Sequence, residues 1–181
     1  MDFRHFAVAD FQSHDDLLPY KDEMIDHYYK ELGVHPGFSV LYTNELLEEE
    51  IGPRIKNVIS DTFVFDWWTT KDPDIFFHIY VQDNEKYDSA WHCHLRGQPN
   101  LLDPSIVGCL YIDPPQTPSF EFAVTPEIIQ KVAVEKDKLY IFPSWLQHRP
   151  IPQTSPTTRI SICWGVISKN RPILKSSNII W

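Results

Sequence analysis

The chain has 181 residues, 43% of them apolar and 14% aromatic with six tryptophans, enough apolar surface for one domain to close a core and the opposite of a disordered composition. Sixteen basic against twenty-five acidic residues give a net charge of −9, which repels a phosphate backbone and argues against nucleic acid as a partner. Cys93, Cys109 and Cys163 lack the close pairing of zinc ribbons or redox dithiols and fit a reducing, cytoplasmic setting. The opening MDFRHFAVADFQ carries acids and no unbroken apolar run, so it reads as neither signal peptide nor anchor, and no segment approaches the roughly 18 apolar residues of a membrane span.

We expect a single domain over 1–181, with a helical N-terminal region over 1–61, a jelly-roll core over 62–168 and a C-terminal tail over 169–181. Pro19 suits a first helical turn, and Met24, Ile25, Tyr28, Tyr29 and Leu32 recur at helical spacing until Gly33 stops the run. A short strand is predicted over Phe38–Tyr42. A second helix starts at Thr43 as N-cap and runs through NELLEEEI, with Gly52-Pro53 breaking or kinking it before RIKNVIS. The acidic Glu48-Glu49-Glu50 run reads as a solvated helix face.

From about residue 62 the pattern changes to short β-rich runs separated by turn residues: TFVFDWW, IFFHIYV, AWHCH, SIVGCLYI, SFEFAV, QKVAVE, KDKLYIF and RISICWGVI. Fifteen prolines against six glycines crowd the connections, where no ladder donor is needed. Many short strands at this spacing predict a mainly β fold, a double-stranded β-helix or jelly roll, with the N-terminal helices packed on its outside.

Within the AWHCH run, His92 and His94 sit at i and i+2, which on a strand puts both rings on one side about 6 to 7 Å apart along the chain. A metal site needs such a pair and a ligand from elsewhere in the fold, and His148 in IFPSWLQHRP is the histidine that follows. Surface decoration or core packing is the bland reading of the pair. Further on, strict alternation places Arg159, Ser161 and Cys163 on one face of RISICW and Ile160, Ile162 and Trp164 on the other. If the first face lines the interior, a buried guanidinium needs an anion, and a ligand carboxylate held by the arginine fork and the Ser161 hydroxyl would supply it. A strand-edge ion pair is the alternative for Arg159. Tyr111 either hydrogen-bonds such a ligand or satisfies a backbone carbonyl. His78 reads as a packed strand residue, Cys93 as core, and Cys109 and Cys163 as small buried hydrophobes that could face the cavity.

The order of His-x-His, the glycine-containing strand Ser105–Ile112, the run LYIFPSWLQH ending at His148 and then Arg159-Ile-Ser-Ile resembles the iron(II)- and 2-oxoglutarate-dependent oxygenases of bacteria and their phages, relatives of the prolyl 4-hydroxylase group. The resemblance spans about residues 75 to 167. It implies that His92, His94 and His148 are ligands of iron(II) and that Arg159, helped by Ser161, takes the distal carboxylate of 2-oxoglutarate, with Tyr111 a further cosubstrate contact. Most of the wider superfamily has a carboxylate where His94 stands, and His94 is similar to the His-x-His variant. The stretch Pro114–Phe120 also lacks the glycine expected before the next strand.

The implied reaction is an oxidation, such as hydroxylation of a peptide or small molecule, in which 2-oxoglutarate meets the metal through its keto and C1 carboxylate oxygens. Trp91, Trp145 and Trp164 would wall the site, and the loops Leu95–Pro104 and Gln147–Thr158 would choose the substrate. Two rival readings are a three-histidine, cupin-like dioxygenase without 2-oxoglutarate, and a non-catalytic jelly-roll binding module.

Overall fold

A computed structural model describes residues 6–32, 39–62, 74–82, 90–94, 106–114, 118–125, 127–151 and 158–167. Of the predicted strand over 62–68, Thr62 is helical and the rest, like the loop over 95–104 and the tail over 169–181, lies outside the described residues. The strands are β1 (Ala7–Asp10), β2 (Val40–Leu41), β3 (Asp74–Gln82), β4 (Ile106–Ile112), β5 (Pro118–Thr125), β6 (Ile128–Ala133), β7 (Lys138–Pro143), β8 (His148–Pro150) and β9 (Arg159–Ile167). They form a six-stranded sheet in the order β1-β7-β4-β9-β3-β2 and a three-stranded sheet in the order β6-β5-β8. Every recorded pairing is antiparallel, an arrangement consistent with a jelly roll.

The alternation read in β9 decides how the layers stack. Ile160, Ile162, Trp164 and Val166 join Phe77, Ile79, Leu110, Leu139 and Ile141 in a cluster that packs the large sheet against the helices. The opposite face of the same strands sends Val107, Cys109, Tyr111, Tyr140 and Phe142 toward Phe120, Phe122 and Val132 of the small sheet. Two cores therefore lie on either side of one sheet, and Arg159 and Ser161, alternating with Ile160 and Ile162, belong to the interior between the sheets.

Helix α2 (Lys21–Leu32) contributes the buried Met24 and Tyr28 at i and i+4. A π-helical stretch Leu46–Ile51 runs into α3 (Gly52–Thr62), and Leu47, Ile51, Ile55 and Ile59, spaced by four, are each 0% exposed. The cap is Asn44 rather than Thr43, since the Asn44 side-chain oxygen accepts from the Leu47 N–H at 2.8 Å. Nor does Gly52-Pro53 break the helix. The Gly52 N–H donates to the Leu47 carbonyl five residues back, and this wider turn passes the chain over Pro53, which has no donor to lose. No helix among the described residues is long and apolar enough to cross a membrane.

Strand β1 lies in a region expected to be helical. It pairs with β7 over Ala7↔Ile141 to Asp10↔Lys138, and the short helix α1 (His14–Leu17) that follows is tied to the β6–β7 turn by Asp137. The Asp137 carboxylate accepts from the Ser13 and His14 N–H groups at 3.0 and 2.9 Å. Gly108 of β4 leaves no room for a side chain: a Cβ there would stand 2.0 Å from the Tyr140 carbonyl oxygen and 2.4 Å from the Trp164 ring. Gly108→Ala is expected to destabilise the fold by about 3 kcal/mol, read as a lower melting temperature, because both neighbours are held by packing.

Candidate metal centre and the interior behind it

His92 and His94 lie in the segment 90–94, outside the regular strands, and the backbone joins that segment to the residues around His148. The His92 N–H donates to the His148 carbonyl at 3.0 Å, the His148 N–H donates back at 2.9 Å, and the His94 N–H donates to the Ser144 carbonyl at 2.8 Å. This antiparallel bridge sets His92 and His148 directly opposite one another, so their side chains face the same way, and His94 follows at i+2. All three rings meet. Their centroids are 4.4 Å apart for His92 and His148, 5.0 Å for His94 and His148, and 5.6 Å for His92 and His94.

One nitrogen from each ring can be chosen so that all three lie within 4.8 Å of one another. The His94 and His148 Nε2 atoms are 3.2 Å apart. Adjacent nitrogens on an ion with bonds of about 2.1 Å stand about 3.0 Å apart, so this pair is already near ligand spacing. The Nδ1 of His148 donates to the Leu146 carbonyl at 2.8 Å and that of His92 to the Ala90 carbonyl at 3.1 Å, each two residues back along the chain. With its proton on Nδ1, each of these rings turns an Nε2 lone pair toward the others, as outer hydrogen bonds do for metal-bound imidazoles. This donor set fits a borderline divalent ion such as iron(II).

Exposure falls across the triad. His92 is exposed, His94 half-buried and His148 only 9% exposed, so the cluster opens to solvent on the His92 side. Burial pushes the His148 imidazolium down to about 3, with the field of His92 adding to it. His94 is pushed down to about 4 by burial, then by His92 and His78. Both rings are neutral at pH 7 and keep their lone pairs. In the unfolded chain the same groups titrate near 6.5, so between about pH 6.5 and pH 4 only the unfolded state takes up protons there. Apo-protein stability is therefore expected to fall with pH across that window, by about 1.4 kcal/mol per unit for each ring, and denaturant titrations at stepped pH would measure it.

Behind the triad the interior is aromatic. The His148 ring meets Phe142 edge-on at 4.8 Å, Phe142 neighbours Phe120 at 6.2 Å, and Tyr140 stands 5.8 Å from Phe120 and 5.9 Å from Tyr111. Tyr111 of β4 is directly opposite Ser161 of β9, and Cys109 is opposite Cys163. Arg159, two residues from Ser161 on the same face of β9, is 1% exposed, and its positive field acts on Cys109, Tyr111 and Cys163. Burial raises the Cys109 thiol and the Tyr111 hydroxyl well above their ordinary ranges and pushes Cys163 up to about 11, so this wall stays neutral around the guanidinium. Arg159 is thus a buried charge in the interior, not a strand-edge surface residue.

Other expectations fare differently. Trp164 does not wall the site, because it packs on the helix side of the large sheet. Trp145 is 48% exposed in the turn before His148, and Trp91 lies against Arg149. Cys93 is half-exposed rather than core. His78 stands opposite Cys163 on β3, on the interior face, and is close enough to depress His94 electrostatically, although it is not one of the three grouped nitrogen donors. The Ala90, Leu146 and Ser144 carbonyls that orient the triad have no sequence signal, since every residue carries one.

No protein-family model matches the sequence, and no curated protein matches it in sequence. Solved structures do share its fold. A prolyl 4-hydroxylase from Phytophthora capsici superposes with a TM-score of 0.65 at 16% identity, over 92% of this chain and 60% of its own, so this chain spans less than two thirds of that one. A Pseudomonas putida prolyl-4-hydroxylase gives 0.63 at 10% identity, over 92% and 95% of the two chains. EvdO2 from Micromonospora carbonacea var. aurantiaca, complexed with 2-oxoglutarate, gives 0.67 at 12% identity, over 93% and 91%. At such identities the likeness is one of fold alone, a fold shared with solved prolyl 4-hydroxylases.

Proposed function

We propose that this chain is an iron(II)- and 2-oxoglutarate-dependent dioxygenase of the His-x-His kind, acting in the cytoplasm as a hydroxylase of a peptide or small-molecule substrate. The observation that carries the reading is the convergence of one nitrogen from each of His92, His94 and His148 within 4.8 Å, with Arg159 buried on the interior-facing side of β9. Iron bound there would supply the activation of dioxygen, coupled to oxidative decarboxylation of 2-oxoglutarate to succinate. The three imidazoles leave half the positions of a six-coordinate ion open, enough for two cosubstrate oxygens and dioxygen.

Arg159 would hold the distal carboxylate with its fork, and Ser161, two residues along the same face, would add a hydroxyl. The Tyr111 hydroxyl accepts from the Cys109 thiol at 3.5 Å and stays protonated, so its own hydrogen is available to the same carboxylate. The rings of Phe120, Tyr140 and Phe142 pack in the same buried cluster as Tyr111 and would keep water from a bound cosubstrate, where a charged hydrogen bond is worth more than in solution. Fold neighbours solved with 2-oxoglutarate support the reading.

The all-nitrogen donor set favours one rival, a three-histidine dioxygenase that needs no cosubstrate. An anaerobic titration separates the two. Iron(II) followed by 2-oxoglutarate should raise a visible charge-transfer band, and admitting air should then yield succinate. Iron binding with neither band nor succinate would exclude the 2-oxoglutarate reading.

A further inference from the structure

Two residues next to the histidines, one beside His92 and one beside His148, also touch each other. Trp91 precedes His92 and Arg149 follows His148, and the Arg149 guanidinium carbon lies 4.8 Å from the centre of the Trp91 ring. Because side chains alternate, both point away from the triad, onto the outer face of the small sheet. There Arg149 meets Glu121, its direct partner across β5 and β8. The Arg149 Nε and Nη2 atoms lie 2.7 and 2.6 Å from one Glu121 carboxylate oxygen, and the Glu121 side chain is 7% exposed against 32% for that of Arg149.

We infer that Trp91, Arg149 and Glu121 form a brace that positions the metal centre from behind, an inference that rests on the metal reading of the three histidines. The segment 90–94 carries two of those histidines outside any regular strand. Its recorded backbone bonds to the 144–148 segment number three. A buried carboxylate fixes the guanidinium, the guanidinium fixes the indole, and the indole stops the 90–94 segment from peeling off β8. Trp91 and Arg149 are positioning residues and touch no reacting atom.

The sign of the effect separates bracing from simple electrostatics. A cation beside the ligands repels a metal ion, so if charge alone mattered, removing Arg149 would tighten binding. A brace predicts the reverse. Cobalt(II), whose visible bands report ligation, is titrated into the full chain at a temperature where circular dichroism shows every variant folded. Trp91→Leu and Arg149→Gln should each weaken cobalt binding and speed its loss to EDTA by about tenfold, the scale typical of outer partners of metal ligands. Trp91→Phe, which keeps a ring over the guanidinium, should stay within about threefold of wild type, and the double variant should lose no more than either single one, because one contact is broken. Lys131→Gln, which removes a charge opposite Glu121 on β6, should leave affinity unchanged.

Unchanged or tighter binding in Trp91→Leu and Arg149→Gln, with wild type binding cobalt, would overturn the brace alone. So would additive losses in the double variant. Failure of the wild-type protein to bind cobalt at all would remove the metal reading and the brace with it.

Discussion

Replacing His148 with alanine is expected to lower iron(II) affinity by at least about a hundredfold while leaving the protein folded. The ring supplies the most buried of the three candidate donors, and its Nδ1 bond to Leu146 already turns Nε2 toward His94. Without it, two donors remain, one of them on the exposed His92, and two imidazoles hold a divalent ion far less tightly than three. The main-chain bridge to His92 does not involve the ring, so the arrangement of the two segments should persist. The cost to the fold is the unpaired Leu146 carbonyl and the lost packing on Phe142, on the order of 2 kcal/mol. Metal affinity by competition with a chelator and melting of the apo protein would be read side by side. Equal iron affinity in wild type and His148→Ala would contradict the ligand assignment.

The second large effect is expected at Arg159, buried on β9. Arg159→Ala should weaken 2-oxoglutarate binding by roughly 30- to 100-fold, the equivalent of about 2 to 3 kcal/mol for a charge-assisted, two-pronged hydrogen bond in a dry wall. Iron affinity should hardly change, because Arg159 is on β9, and the recorded backbone bonds that hold His92 and His94 run to Ser144 and His148 instead. Arg159→Lys should recover part of the loss, since a lysine keeps the charge without the fork. The readout is the concentration of 2-oxoglutarate giving half the charge-transfer band. A 2-oxoglutarate affinity that survives Arg159→Ala would favour the three-histidine rival.

The site was more legible in the sequence than the fold around it, and the reason lies in range. His92 and His94 announce themselves by a two-residue spacing, and the RISICW alternation assigns Arg159 and Ser161 to the face opposite Ile160 and Ile162, as the two packing clusters bear out. Both are local patterns. The apolar stripe at positions 47, 51, 55 and 59 is seen only once the chain is known to stay helical across Gly52-Pro53. Strand β1 was not legible, because AVAD is too short to show a period and becomes a strand through pairing with β7, more than 120 residues away.

At Gly52-Pro53 the sequence left a break or a kink open, and the structure keeps the helix going through a local distortion. The usual penalty of an internal proline assumes an i→i−4 ladder, and a π turn immediately before it removes that assumption. The brace of Trp91, Arg149 and Glu121 draws on three separate segments, and only the β5–β8 register puts Glu121 beside Arg149. Trp164 shows the opposite error: alternation alone places it with Ile160 and Ile162, which rules it out as a wall of the site.

The most direct measurement is diffraction at the iron absorption edge from crystals grown anaerobically with iron(II) and 2-oxoglutarate. One anomalous peak is expected about 2.0 to 2.2 Å from a nitrogen of each of His92, His94 and His148, with the far carboxylate of 2-oxoglutarate on the Arg159 guanidinium. A peak elsewhere, or imidazoles turned away from a common point with packed side chains between them and Arg159, would contradict it.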